Sequence, residues 1–173
     1  MITLVLGGTR SGKSEVAESL AAGAPGEPVT YVATGAGTDD DMAARIAAHR
    51  ARRQASWTTV EAGADLPGAL GALPAAGAVV VDSLGTWVAT CAQLAPDVDG
   101  LCAALRSREG DTVVVSDEVG LGVHASTEVG RRFADALGDL NRAVADIADR
   151  VLLVVAGRVL PLERATVTYH RSS

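Results

Sequence analysis

The residues with the clearest chemical potential form a glycine-rich segment near the N-terminus, Gly7-Gly8-Thr9-Arg10-Ser11-Gly12-Lys13-Ser14. It matches the phosphate-loop pattern G-x-x-x-x-G-K-[ST]. In such a loop the glycines let backbone N–H groups converge on phosphate oxygens, and the helix that follows adds its positive end. Lys13, which is the only lysine in the 173 residues, would contact the β- and γ-phosphates, and Ser14 would offer a hydroxyl to Mg²⁺. The segment therefore predicts a site for ATP or GTP.

A phosphate loop also needs a carboxylate at the end of a neighbouring strand to hold the hydrated Mg²⁺. Asp82 directly follows the apolar run 78–81, and Asp117 and Glu118 follow the apolar run 113–115. Acidic residues also end strands for purely structural reasons, so the pattern leaves both positions open. We favour Asp82, which gives Ser14 and Asp82 as the predicted metal-side pair.

His49 is a candidate nucleophile. It lies on a predicted helix over 40–53, with Arg45 one turn before it and Arg50, Arg52 and Arg53 just after it. Neighbouring guanidinium groups favour a neutral imidazole and would stabilise charge on an attacked phosphorus. The alternative from spacing alone is a solvated basic helix face that carries a surface histidine.

Short apolar runs alternate with helical patterns along the chain, which predicts strands that bring these residues together. The strands are expected at 2–6, 29–33, 78–82, 112–116 and 151–156, with a weaker one near Val167. Helices are expected at 13–22, 40–53, about 65–73 and 129–147. The alternation predicts one α/β domain over residues 1–173, of the P-loop (RecA-like) type, with an open, mostly parallel sheet and helices on both faces.

Composition narrows the classes of function. The net charge of −6 argues against a nucleic-acid-binding protein, including a DNA-dependent ATPase, since these need a basic surface. Cys91 and Cys102 have neither disulfide-framework nor metal-ligand spacing and are expected to be reduced. The first predicted strand begins at Ile2 and the longest apolar runs, such as 151–156, are too short to cross a bilayer. We expect a cytoplasmic protein without a membrane span.

The order of motifs resembles one known family, the bifunctional adenosylcobinamide kinase / adenosylcobinamide-phosphate guanylyltransferases of cobalamin biosynthesis. After the phosphate loop, the shared motifs are Tyr31-Val32-Ala33-Thr34-Gly35, Asp41-Met42-x-x-Arg45-Ile46-x-x-His49, Trp57-x-Thr59-x-Glu61, Asp82-Ser83-Leu84 and Ser116-Asp117-Glu118-Val119-Gly120-x-Gly122. They cover nearly the whole chain in the same order as in the family.

The resemblance implies two reactions. A kinase step would transfer the γ-phosphoryl group of ATP or GTP to adenosylcobinamide. A guanylyltransferase step would attach GMP to His49 and then pass it to adenosylcobinamide phosphate. The resemblance further implies a corrinoid substrate, a homo-oligomer that is expected to be a trimer, and nucleotide or metal contacts from Ala33, Thr34, Gly35, Arg50, Ala51, Arg52, Arg53, Glu61 and Asp82.

The chain departs from the family pattern at two positions after the fourth predicted strand. Asp117 stands where the family often has Asn, and His124 stands near a family proline. These departures concern the loop expected to border the corrinoid, whose location the sequence does not give.

Two rival interpretations remain. A single-step small-molecule kinase would have no histidine intermediate. A GTP-binding switch would use Asp82-Ser83-Leu84-Gly85, which matches D-x-x-G, but a guanine-reading N-K-x-D motif cannot occur in a chain whose only lysine is Lys13.

Overall fold

The computed structural model describes residues 1–23, 28–35, 56–123 and 125–165. The strands of this part are β1 (Ile2–Gly7), β2 (Val29–Ala33), β3 (Thr58–Glu61), β4 (Ala78–Asp82), β5 (Thr112–Asp117), β6 (Arg150–Val155) and β7 (Arg158–Leu162). The α-helices are α1 (Lys13–Ala22), α2 (Leu66–Gly71), α3 (Leu84–Thr90), α4 (Val98–Arg106) and α5 (Glu128–Ile147), and a 3₁₀ turn covers Ala92–Leu94.

The seven strands form one sheet in the order β3-β2-β4-β5-β1-β6-β7. Every neighbouring pair from β3 to β6 is parallel, and β7 alone runs antiparallel, to β6. Parallel strands end at a common edge of the sheet. The register therefore places Gly7 opposite Asp117, and Ala33 opposite both Glu61 and Asp82.

The two faces of the sheet bury separate apolar clusters, because successive strand residues point to opposite sides. On one face Leu4, Val79 and Val114 pack with residues of α2 to α5, among them the fully buried Trp87. On the other face strand residues such as Val5 pack with Ala17 and Ala21 of α1. The central strands are thus covered on both sides, which explains their nearly continuous valine runs.

Helix boundaries follow local capping chemistry. The side chains of Asp65, Asp97 and Thr127 accept hydrogen bonds from the backbone N–H groups of the first turns of α2, α4 and α5. Ser83 and Thr86 form a reciprocal capping box at the start of α3. These caps satisfy N–H groups that a helix leaves without intrahelical partners.

The structure confirms the five main predicted strands and the predicted helices at 13–22, 65–73 and 129–147, with ends that differ by at most two residues. The elements β3, β7, α3 and α4 were not expected from the sequence. The predicted strand near Val167 and the predicted helix over 40–53 lie outside the described residues. No helix within the described ranges is long and apolar enough to cross a membrane.

Candidate active site at the carboxyl edge of the sheet

The phosphate loop connects the end of β1 to the start of α1. The backbone turns sharply, with φ angles of 58° at Arg10 and 92° at Gly12, and the Ser11 N–H donates to the Gly8 carbonyl at 3.2 Å. Gly12 precedes α1 as its N-cap. Glycine suits the position because a φ of 92° is costly for residues with a Cβ. The Ser11 hydroxyl is buried and has no hydrogen-bond partner among the described residues, so it is a polar group inside the loop that a ligand could satisfy.

The tight turn between β6 and β7 supports this loop from outside. Ala156 and Gly157 form the two-residue turn, both with positive φ, and the Gly157 N–H donates to the Ser11 carbonyl at 2.8 Å. Gly7 must also lack a side chain, since a Cβ there would lie 2.8 Å from the Val154 carbonyl oxygen. The conformation of the phosphate loop therefore depends on a hairpin about 145 residues further along the chain.

Lys13 and Asp117 form an ion pair across β1 and β5. Lys13 Nζ lies 2.7 Å from Asp117 Oδ1 and donates to the Gly8 carbonyl at 3.2 Å. The Lys13 side chain is 13% exposed and that of Asp117 is 33% exposed. The loop's cation is thus held at the mouth of the loop by a carboxylate and a backbone carbonyl.

The turn that follows Asp117 is fixed by the next residue. The Glu118 N–H donates to the Gly7 carbonyl at 3.1 Å, extending the β1–β5 contact beyond the strands. The Glu118 carboxylate accepts hydrogen bonds from the N–H groups of Gly120 at 2.8 Å and Leu121 at 2.9 Å. In this structure Glu118 organises its own loop, which favours a structural role for it.

Asp82 ends β4 and is oriented by a phenol. The Tyr31 hydroxyl donates to Asp82 Oδ2 at 2.6 Å, and Tyr31 itself is 2% exposed. Tyr31 lies on β2, the neighbour of β4, so the sheet register brings the two side chains together. The preferred metal-side carboxylate is therefore held by a rigid, buried donor.

The ends of β2 and β4 are joined by a network of hydroxyl groups. The buried Thr34 hydroxyl donates to the Ser83 carbonyl at 2.6 Å and accepts from the Ser83 N–H at 2.9 Å. It also lies 2.5 Å from the Thr86 hydroxyl. Gly35 lies next to the Thr86 side chain, because a Cβ built on Gly35 would lie 3.6 Å from Thr86 Cβ. The network fixes the backbone of 33–35 against the start of α3.

The structure therefore brings most of the predicted site to one edge of the sheet. The residues at this edge are Gly7, Gly8, Thr9, Arg10, Ser11, Gly12, Lys13, Ser14, Ala33, Thr34, Gly35, Glu61 and Asp82, with Asp117 and Glu118. Glu61 is exposed at the end of β3. The predicted nucleophile His49 and its neighbours Arg50, Ala51, Arg52 and Arg53 lie outside the described residues, as do His124 and His170.

Sequence reasoning missed the supporting side chains of this edge, notably Tyr31, Thr86 and Asn141. One signal for Asn141 was available, since an amide interrupts the apolar stripe Phe133, Leu137, Leu140 and Val144 of α5. Such a residue generally has a buried hydrogen-bonding partner. Nothing in the sequence indicated which partner.

The donor set fits Mg²⁺ better than a metal that needs many protein ligands. Within the described ranges there is no group of three or more His, Cys, Asp or Glu side chains that could hold an ion. Mg²⁺ commonly uses one or two protein oxygens together with water and substrate phosphates. Ser14 and Asp82 offer a hydroxyl and a carboxylate at the same sheet edge, which is chemically compatible with that preference.

The sheet order, the loop between β1 and α1, and the acidic strand ends define a P-loop domain of the α/β class. Solved structures agree on the fold. An ATPase of a bacterial type III secretion system superposes with a TM-score of 0.57 at 11% identity, over 88% of this chain and 51% of that one. The flagellar accessory protein FlaH of Methanocaldococcus jannaschii gives a TM-score of 0.50 at 12% identity, over 91% and 74%.

Within that class, the chain belongs to the cobinamide kinase / cobinamide phosphate guanyltransferase family, whose model matches residues 3–162. The bifunctional adenosylcobalamin biosynthesis protein CobP of Pseudomonas aeruginosa is 40% identical, over 94% of this chain and 98% of its own length. The bifunctional protein CobU of Salmonella typhimurium is 35% identical, and that of Escherichia coli 33%, each over 91% of this chain and 97% of its own length. These matches support the resemblance drawn from the motifs.

Proposed function

We propose that this protein phosphorylates adenosylcobinamide with ATP or GTP and then transfers GMP from GTP to adenosylcobinamide phosphate, giving adenosylcobinamide-GDP. The observation that carries the proposal is the family match over residues 3–162, in a chain whose phosphate loop presents Lys13 among the acidic strand ends. Both reactions handle nucleoside triphosphates, and the loop is suited to bind them.

In the kinase step, an acceptor hydroxyl of adenosylcobinamide attacks the γ-phosphorus and the nucleoside diphosphate leaves. Lys13 and the backbone N–H groups of residues 7–14 would bind the phosphates and stabilise charge as it develops on them. The buried Ser11 hydroxyl, which has no partner in the described part of the chain, would turn toward that ligand. Residues 33–35, fixed by the Thr34 network, would line the nucleotide.

Ser14 and Asp82 would hold Mg²⁺, which when bound neutralises phosphate charge. Tyr31 keeps the Asp82 carboxylate oriented through its hydroxyl. Asp117 is engaged by Lys13 and Glu118 by its own loop, which supports the preference for Asp82.

In the guanylyl step, an imidazole nitrogen of His49 attacks the α-phosphorus of GTP. An N–P bond forms, the bond to the bridging oxygen breaks, and pyrophosphate leaves. A phosphate oxygen of adenosylcobinamide phosphate then attacks the same phosphorus and releases His49. Arg50, Arg52, Arg53 and Glu61 would contact the nucleotide, with Ala51 contributing backbone.

Intact mass measurement tests the covalent step. The protein is incubated with GTP and Mg²⁺ without corrinoid, beside a His49→Ala variant and a His170→Ala control. A gain of one GMP in the parent and the control, absent from His49→Ala and lost in mild acid, supports the mechanism. A parent that binds GTP but gains no mass would instead favour a single-step P-loop kinase.

The kinase step is tested with γ-labelled ATP or GTP and adenosylcobinamide. Label is expected on the corrinoid in the parent protein and is expected to persist in His49→Ala, because phosphoryl transfer does not use the histidine. Comparing the two nucleotides gives the preferred donor. A parent that transfers no label would remove the kinase half of the proposal.

Self-association belongs to the same proposal, with a trimer as the expected form. Light scattering of the purified protein measures the mass in solution directly. A mass of one chain, 17.5 kDa, over the concentrations used for activity would contradict it.

A further inference from the structure

Asn141 is a polar side chain on the buried side of the longest helix of the described chain. It lies on α5 between Leu140 and Val144, which are both fully buried, and is itself half-buried. An amide at such a position costs free energy unless its polar atoms are hydrogen-bonded. Its partners therefore show what the residue does.

Both ends of the Asn141 amide bond to consecutive residues at the end of β5. The Ser116 hydroxyl donates to Asn141 Oδ1 at 2.6 Å, and Asn141 Nδ2 donates to the Asp117 carbonyl at 3.0 Å. These partners determine the orientation of the Asn141 amide. The Asp117 carbonyl oxygen can only accept a hydrogen bond, so Nδ2 must face it. Asn141 thus binds the backbone of the residue whose side chain pairs with Lys13.

Asp117 is held from three sides. Its backbone is bound by Asn141, its position on β5 is opposite Gly7, and its carboxylate contacts Lys13 at 2.7 Å. The carboxylate also lies close over the start of α3, where a Cβ on Gly85 would collide with it. Because these contacts hold the Asp117 carboxylate in one position, they also define where the Lys13 ammonium group pairs with it.

We infer that Asn141 is a positioning residue for the phosphate-loop lysine, acting through Asp117. The inference rests on the proposed nucleotide site, since Lys13 matters only if phosphate binds there. Ordering a lysine side chain costs conformational entropy. Asn141 and Asp117 order the Lys13 side chain before the nucleotide binds, so the entropic cost of ordering is not added during the reaction.

The single lysine of the chain makes a direct test possible. Protein labelled with ¹³C only in lysine gives one side-chain spin system, that of Lys13. An ordered lysine shows separate signals for its ε-methylene protons, whereas a freely rotating one shows an averaged signal. The splitting therefore measures how firmly Lys13 is held, without any need for activity.

The variants are Asn141→Leu, which is similar in size and apolar, Asp117→Ala, and the double variant. Arg142→Ala, at the exposed next position of α5, is the control. We expect separate signals in the parent and the control, and averaged signals in the other three. Thermal melting checks the fold, and Asn141→Asp, which keeps the acceptor for Ser116 but loses the donor to Asp117, replaces the leucine variant if that one does not fold.

Steady-state kinetics adds a second readout. The kcat of phosphoryl transfer in Asn141→Leu is expected to fall roughly 2- to 10-fold, the equivalent of one hydrogen bond. The same substitution made in Asp117→Ala is expected to change kcat no further. A purely structural role would lower kcat in both backgrounds.

Two NMR outcomes would overturn the inference: an averaged Lys13 signal in the parent, or a parent-like splitting in Asn141→Leu while Asp117→Ala loses it. Independent effects of the two substitutions on kcat would overturn it as well. A parent without phosphoryl transfer would count against the proposed function alone, because the lysine signal still reports whether Asn141 orders Lys13.

Discussion

Lys13 Nζ and Asp117 Oδ1 are 2.7 Å apart in this structure, so the cation of the phosphate loop is already paired with an anion of the protein. Phosphate groups that enter the loop would share that cation with a carboxylate. The pair orders Lys13 and also reduces the net charge that the loop presents. Mutations can separate these two effects. The Asp117→Ala variant described above tests the ordering of Lys13, and Asp117→Asn tests the effect on the charge of the loop.

Replacing Asp117 by Asn removes the negative charge but keeps an oxygen that can accept from Lys13. We expect the Kd for ATP and GTP measured without Mg²⁺ to fall roughly 2- to 10-fold, because a partly exposed ion pair contributes about 0–1 kcal/mol and the lost charge also repels phosphate. Isothermal titration calorimetry at low and high salt gives the values, and the gain should shrink at high salt.

Asp111→Asn is the matched control for this prediction. It removes the same charge, but Asp111 pairs with the N-terminal amine at 3.2 Å, just before the other end of β5. Its nucleotide affinity should equal that of the parent. Equal or weaker binding in Asp117→Asn would show that the carboxylate does not compete with phosphate.

Tyr31→Phe tests whether the tyrosine orients the metal-side carboxylate. The change removes the donor to Asp82 Oδ2 and preserves the shape of a buried ring. We expect the Mg²⁺ concentration for half-maximal phosphoryl transfer to rise roughly 2- to 10-fold, the effect of one hydrogen bond, with little change at saturating Mg²⁺. An unchanged Mg²⁺ requirement, with normal thermal stability, would argue that Asp82 does not hold the metal.

Two glycines with open space around them should respond oppositely to alanine. An ideal Cβ at Gly138 or Gly157 meets no atom of the described residues within 4 Å outside its local backbone. Gly138 lies inside α5, where alanine should raise the free energy of unfolding by about 1 kcal/mol. Gly157 has a φ of 69°, where alanine should lower it by about 1 kcal/mol. Urea unfolding measures both, and a shared sign would refute the backbone explanation.

The cysteines give a pH-dependent prediction. Burial raises the pKa of the Cys91 and Cys102 thiols. A raised pKa in the folded state means that the stability contribution is present below the ordinary thiol pKa, about 8.5, and is lost as pH rises through the folded value. The difference in free energy of unfolding between the parent and Cys102→Ala should therefore shrink from pH 7 to pH 10. A constant difference would contradict it.

Local patterns predicted those elements whose residues carry their own signal. The valine runs of β4 and β5 and the apolar stripe of α5 indicate buried strands and an amphipathic helix wherever they occur. By contrast, β3 has only Val60 as an apolar residue between Thr58 and Glu61, and all five residues of β7 are exposed. These strands form because a neighbouring strand supplies their hydrogen-bond partners. The local sequence does not show that pairing.

By itself, the sequence determined the phosphate loop, the α/β class and the family, because glycine spacing, hydrophobic periodicity and the order of motifs are properties of the linear sequence. Only the tertiary structure decided that Lys13 meets Asp117, that Tyr31 holds Asp82, and that Asn141 and the β6–β7 turn support the site. Those contacts join residues from 24 to about 145 positions apart. Their distances depend on strand order and register, which are set by packing of the whole sheet.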